Sequence, residues 1–229
     1  MFWKNKNFVT YSLKFYDFAV NDINCNYVWR CNKKYIIQNY KKSIGKNHLE
    51  IGPGTGYFLN NNYPINNLYL MDINNETLNF TKENLQNKYN NISKINHNIF
   101  EDKFKLNNLD SVGLNYVLHC VPGKLEIKID KLINNLSSNQ EIKYFGATVV
   151  NNKYLQTNLS KVELYYLNKY KIFNNKNDNF YNLISYFKIN KIDYEYKIIG
   201  NVLIFSFEVK KCANKVPLKG VVLIKIADK

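Results

Sequence analysis

The sequence predicts an α/β fold: a doubly wound, mostly parallel sheet of seven strands, with two helices before it and an antiparallel hairpin at one edge. Three observations predict it. Short apolar runs alternate with amphipathic stretches along most of the 229 residues, the pattern of a parallel sheet covered by helices on both faces. A glycine cluster, "IGPGTG", follows the first of these runs. Near the end, "KIDYEYKIIG" and "NVLIFSFEVK" flank the turn pair Gly200-Asn201, which makes a closing hairpin.

The elements follow in order. Phe8, Tyr11, Leu13, Phe15 and Phe18 recur at helical spacing over 8–22, and Val28, Tyr35, Ile36, Ile37 and Tyr40 do so over 28–44. "NHLEI" is the first strand and "NLYLMDI" (67–73) the second, followed by a helix over 74–89 with Asn75 or Thr77 as its cap. Strands follow at 92–100 and 109–118. The helix over 124–136 carries Leu125, Ile129, Leu132, Ile133 and Leu136 on one face. "IKYFGATVV" is the fifth strand, and helical segments around "SKVELYYLNKYKIF" and "NFYNLISYF" precede the hairpin. The tail "NKVPLKGVVLIKIADK" is either a further edge strand or a loosely held extension.

These boundaries divide one domain, 1–229, into a helical cap (1–45), a central core (46–150), a helical segment (151–190), the hairpin (191–211) and a tail (212–229). No internal repeat or linker interrupts it.

Composition narrows the function. The net charge is +14, yet Lys+Arg totals 32 with a single arginine, Arg30, in "YVWRC". A basic surface admits nucleic acid as a partner through counterion release. Scattered lysines without arginine, in a chain dominated by Asn, Lys, Ile and Tyr, equally describe a solvated surface encoded by AT-rich codons. The cysteines form no C-x-x-C pair and the three histidines are far apart, so no metal site is expected. The start lacks the apolar core of a signal peptide and no apolar run reaches spanning length, so a cytoplasmic protein without membrane contact is expected. Nothing in the sequence sets an oligomeric state.

Gly52, Gly54 and Gly56 follow a strand and precede a short helix, where glycine permits positive φ and lets a ligand lie against the backbone. The spacing is G-x-G-x-G, with Tyr57 where a dinucleotide fingerprint has its third glycine. Asp72 ends the next strand at a distance suited to ribose hydroxyls. Glu50 would repel a pyrophosphate and favour a cationic ligand.

"LEIGPGTGYF", "LYLMDIN", "NHNIFED" and "LDSVGLNYVLHCVPG", in this order, resemble the motifs of class I S-adenosylmethionine-dependent methyltransferases, which have a Rossmann-like fold. With "YDF…VWRC" and "FGATVV" the chain is most similar to a group of small stand-alone members. The resemblance covers roughly residues 10–150 and implies S-adenosyl-L-methionine as cofactor, with S-adenosyl-L-homocysteine as product. It implies that Gly52, Gly54, Gly56 and Tyr57 wrap the methionyl part, with Glu50 near its ammonium. Asp72 would take the ribose, Ile73 the adenine face, and Asn98 and Ile99 the adenine edge. Asn115 and Tyr116 would line the path to the sulfonium, and Tyr16 would cap the cofactor. Many relatives carry aspartate where Asn98 stands, which removes a charge here.

The expected reaction is in-line methyl transfer to an oxygen or nitrogen of a small molecule. Asn115-Tyr116-Val117-Leu118 lacks the N-P-P-Y pattern of base amino methylation, and Cys120 lacks the adjacent proline of pyrimidine-carbon methylation. Two other readings stand beside it: an RNA or protein acceptor, suggested by the charge, and a binding module without catalysis. His119, whose ordinary pKa suits proton transfer, is the candidate catalytic residue, with a structural histidine as the alternative. Trp29, His119 and Thr148 are candidate substrate contacts. Arg30 is read as a clamp for a carboxylate, with stacking on Trp29 as the alternative.

Overall fold

The structure, a computed structural model, describes residues 24–209 and the backbone of 221–222. The expected helix over 8–22, and with it Tyr16, lies outside the described residues.

The chain enters through one wide helical turn over 24–28, closed by Trp29 N–H to Asn24 O (2.8 Å). The helix expected over 28–44 begins later, as α1 (Lys33–Ser43), because the Asn32 side chain accepts the Lys34 N–H at 2.9 Å and caps it there. The strands are β1 (Asn47–Ile51), β2 (Asn67–Asp72), β3 (Ile92–Asn96), β5 (Ser111–Asn115), β7 (Ile142–Val149), β8 (Asp193–Ile199) and β9 (Val202–Val209). Between them lie α2 (Asn75–Leu85), α3 (Leu125–Asn135), α4 (Asn158–Lys169) and α5 (Phe180–Ile189). The cap of α2 is Asn74, one residue before the expected Asn75, and its side chain accepts the Glu76 N–H.

With a short β10 (Val221–Val222), the main sheet has the order β10-β8-β9-β7-β5-β1-β2-β3. The seven expected strands are present, and β10 (Val221–Val222) adds an eighth parallel to β8, so part of the tail is an edge strand. β9 runs antiparallel to β7 and β8, and the hairpin turns at Gly200-Asn201 as expected. A second small sheet pairs β4 (Phe104–Lys105) with β6 (Leu136–Ser137), which the sequence did not suggest. Two-residue strands have no readable periodicity.

Leu49, Ile51, Val112 and Leu114 of the central strands are buried, as strands covered on both faces require. α3 and α5 cover one face with Leu125, Ile129, Leu132, Leu183 and Phe187; Ile36, Tyr40, Leu78, Leu85 and Leu164 cover the other. β1 lies between β2 and β5, so the strand order reverses there. An open α/β sheet leaves a crevice at the carboxyl ends of the strands where this reversal occurs.

Candidate active site

The glycine loop is held in place from below. Gly52, Gly54 and Gly56 have φ of 61°, 58° and 79°, a region costly for other residues. Gly52 N–H donates to Met71 O (2.8 Å), while Thr81 Oγ1 of α2 donates to Gly54 O (2.5 Å) and Asn84 Nδ2 to Thr55 O (3.1 Å). A Cβ on Gly52 would lie 2.5 Å from Val117 Cγ2, whereas a Cβ on Gly54 would meet nothing within 4 Å. Gly52 therefore serves close packing, and Gly54 faces open space.

That space is a groove of about 460 Å³ along the carboxyl ends of β1, β2, β3 and β5. Gly52, Gly54, Asp72, Ile73, Asn98, Ile99 and Tyr116 line it together. Asp72 Oδ1 accepts the Asn74 N–H at 2.8 Å. Burial nevertheless pushes the Asp72 carboxyl up to about 6, the backbone donors at 73 and 74 offsetting only part of the desolvation. Ile73 is 71% exposed, an aliphatic side chain standing free at the rim. β3 stops at Asn96 rather than the expected 100, because Asn98 starts a turn: its Oδ1 accepts the Phe100 N–H, and its carbonyl accepts from Glu101 and Asp102. Ile99 is buried, its carbonyl held by Asn135 Nδ2 at 2.8 Å.

β5 likewise ends at Asn115, short of the expected 118, because Tyr116 has φ 57°. This turn directs Tyr116 to the groove, and Cys25 Sγ–H donates to its hydroxyl at 3.2 Å. Phe100, Cys120, Val121 and Lys131 also line the groove. Phe100 follows directly on the "NHNI" stretch, but Lys131 comes from α3 and carries no local sequence signal.

Over 173 residues the chain is 34% identical to demethylluteothin O-methyltransferase of Streptomyces thioluteus, covering 73% of this chain and 74% of that relative. The chain belongs to the class I methyltransferase family. N-methyltransferase vrtF of Penicillium aethiopicum is 26% identical over 186 residues, 77% of this methyltransferase and 76% of its own length. The fold is also that of a SAM-dependent methyltransferase from Aquifex aeolicus, with a TM-score of 0.55 at 8% identity over 89% of this chain and 97% of the other. No protein-family model matches the chain.

Several residues singled out from sequence do not line the groove of this methyltransferase. Glu50 is buried; its Oε1 accepts the Tyr40 hydroxyl at 2.8 Å and its Oε2 lies 2.9 Å from His48 Nε2. His48 Nδ1 in turn lies 2.8 Å from Ser111 Oγ. Glu50 is thus the centre of a polar network within the core. Asn115 stands beside Tyr40, yet neither atom of its buried amide has a partner in hydrogen-bond geometry. Gly56 packs on Thr81 and Leu85, and the Tyr57 hydroxyl accepts from Lys33 Nζ (2.5 Å).

Trp29 is buried against Phe173, and its carbonyl accepts the Asn201 N–H at 2.8 Å. Arg30 is exposed, and its Nη2 donates to Leu155 O at 2.6 Å; neither residue lines the groove. Thr148 is fully buried beside His119. His119 is buried between Tyr116 and Phe173, and its Nδ1 accepts the Val149 N–H at 3.3 Å. Burial, and then the charge of Lys128, pushes its imidazole down to about 3. At neutral pH its remaining nitrogen carries a proton, so His119 can donate a hydrogen bond but has no lone pair with which to take a proton. The expected proton transfer at neutral pH does not fit this geometry. Among the described residues no cluster suited to a metal ion is present, and no helix is long and apolar enough to cross a membrane.

Proposed function

We propose that this chain transfers the methyl group of S-adenosylmethionine to an oxygen or nitrogen of a small-molecule acceptor. The observation that carries the reading is the convergence of Gly52, Gly54, Asp72, Ile73, Asn98, Ile99 and Tyr116 on one groove. The residues fit the cofactor: Gly54 leaves backbone bare where a Cβ would enter the groove, and Asp72 offers a carboxylate beside an exposed aliphatic face. The name of the Streptomyces relative, an O-methyltransferase acting on demethylluteothin, supports a small-molecule acceptor.

When bound, S-adenosylmethionine supplies an electrophilic methyl on a sulfonium. The chain's part is to bind and orient. Gly52 and Gly54, shaped by Gly56 and Tyr57, receive the methionyl end; Asp72 accepts from the ribose hydroxyls. Ile73 covers one adenine face while Asn98 and Ile99 meet its edge. Tyr116 borders the passage toward the acceptor, with the buried Asn115, His119, Thr148 and Trp29 behind it. Glu50, held by Tyr40 and His48 within the core, takes no direct part. Alignment of acceptor, methyl and sulfur lowers a barrier by roughly 7–11 kcal/mol in favourable cases. No base is needed where the acceptor atom carries no proton.

Titration calorimetry with S-adenosylmethionine tests the premise, and absence of heat from the wild type overturns it. Transfer of labelled methyl into small-molecule rather than RNA or protein fractions of cell extract tests the acceptor class.

A further inference from the structure

Three consecutive carbonyls of the segment after β5 are held from outside that segment. Leu118 O accepts from Lys128 Nζ at 2.9 Å, His119 O from the Asn174 N–H at 2.6 Å, and Cys120 O from Asn174 Nδ2 at 2.8 Å. Tyr116, Val117, Cys120, Val121 and Pro122 of the same segment form one wall of the groove. Within it, the Cys120 N–H donates to Val117 O (2.9 Å) and the Val121 N–H to Leu118 O (3.2 Å). The segment bends at both ends through left-handed backbone, Tyr116 at φ 57° and Gly123 at φ 112°. A non-glycine residue keeps that conformation where its surroundings over-determine it.

Asn174 is itself presented by a loop with fixed neighbours, between α4 and α5. The next residue, Asn175, is fully buried; its Nδ2 donates to Val149 O at 2.9 Å, and its Oδ1 accepts from Asn168 Nδ2 at 2.8 Å. Lys128 Nζ donates to Asn174 O (3.4 Å) and to the Asp178 carboxylate. The loop is thus tied to the end of β7, to the last turn of α4 and to α3. Asn174 then spans from it to the groove wall with both its backbone and its side-chain donor. We infer that Asn174 is a positioning residue for cofactor binding: it sets the Cys120–Pro122 wall, and through that wall the affinity for S-adenosylmethionine. The inference rests on the groove holding S-adenosylmethionine, and extends that reading to a residue that does not line the groove.

Asn174→Ala keeps the backbone bond to His119 O and removes the donor to Cys120 O. Calorimetry on the full chain should show S-adenosylmethionine binding about fivefold to tenfold weaker, the equivalent of one hydrogen bond. Hydrogen exchange at the Cys120 and Val121 amides should quicken by a similar factor, while the amides of β7 hold steady. Asn39→Ala is the control. Asn39 Nδ2 also donates to two carbonyls, Gly146 O at 3.4 Å and Phe205 O at 3.1 Å, and none of these residues lines the groove. It should lower stability in urea to a similar degree, yet change affinity by less than about twofold. Equal losses of affinity in the two variants would reduce Asn174 to a contributor to stability and overturn the inference. Wild-type affinity in folded Asn174→Ala would overturn it as well, and would leave the reading of the groove intact. A wild-type chain that binds no S-adenosylmethionine would overturn that reading, and the inference with it.

Discussion

Val149 N–H donates to His119 Nδ1 at 3.3 Å, so the end of β7 fixes which imidazole nitrogen carries the proton. With its imidazole pushed down to about 3, folded His119 refuses a proton that the unfolded chain accepts near its ordinary value of 6.5. The unfolded state then binds more protons between these values, so stability falls as pH drops from about 6.5 toward 3. The slope from this one group approaches 1.4 kcal/mol per pH unit at most, a limit set by one proton (~1.4 kcal/mol per unit). Urea unfolding at pH 7, 6, 5 and 4 should show a shallower decline for His119→Asn than for wild type. Parallel declines would mean that His119 takes up its proton in the folded state.

Asp72 has the opposite sign. Its folded carboxyl, at about 6, holds a proton more firmly than the unfolded chain near 3.8, so its contribution favours folding at acid pH and is lost as pH rises through 6. Ribose hydroxyls need the charged acceptor. Affinity for S-adenosylmethionine should therefore fall as pH drops below about 6, and Asp72→Asn should flatten that dependence. Asp72→Ala should cost roughly 10- to 100-fold in affinity, as for loss of a charged hydrogen-bond partner. Calorimetry across pH 5–8 decides, and an unchanged Asp72→Ala affinity would move the ribose site elsewhere.

Gly54 separates folding from binding. Its φ of 58° makes alanine cost about 1–2 kcal/mol of stability. The new Cβ would meet no protein atom, so the fold should survive and melt only slightly earlier. The same methyl would occupy the groove, and binding of S-adenosylmethionine should be lost. A Gly54→Ala chain that binds like wild type would place the ligand away from the glycine loop.

Arg30 donates to the Leu155 carbonyl and does not line the groove. A lysine can donate to the same oxygen. Arg30→Lys should therefore change cofactor affinity by less than about twofold, the range of an ordinary surface substitution. A large loss would restore the carboxylate clamp that the lone arginine suggested.

Parts of this molecule were readable from sequence for definite reasons. Alternating apolar runs and amphipathic stretches set the strand–helix order, and Gly200-Asn201 set the hairpin. Gly52, Gly54 and Asp72 could be placed on the groove because each sits at a strand end, where the fold leaves its crevice. Glu50 was misread, although the cue was present: His48 and Glu50 are two apart on a strand and so share a face, which is where they pair. Arg30 and Trp29 were misplaced because their partners, Leu155 and Phe173, lie more than a hundred residues away. No local pattern reports such contacts.

Lys128 is the sharpest case of a distant partner. Along α3 it reads as an ordinary solvated lysine, yet it is 1% exposed and its Nζ donates to both Asp178 oxygens at 2.8 and 2.9 Å. It also donates to Leu118 O at 2.9 Å, so it ties the segment after β5 to the start of α5. Removing one member of a buried pair strands the other charge, which costs about 3–5 kcal/mol. Lys128→Met should show this loss in urea unfolding. Lys128→Met/Asp178→Leu should recover part of it, with the lost ammonium bonds to the Leu118 and Asn174 carbonyls setting the remainder. If the double variant is no more stable than the single, the pair is not what holds these two segments together.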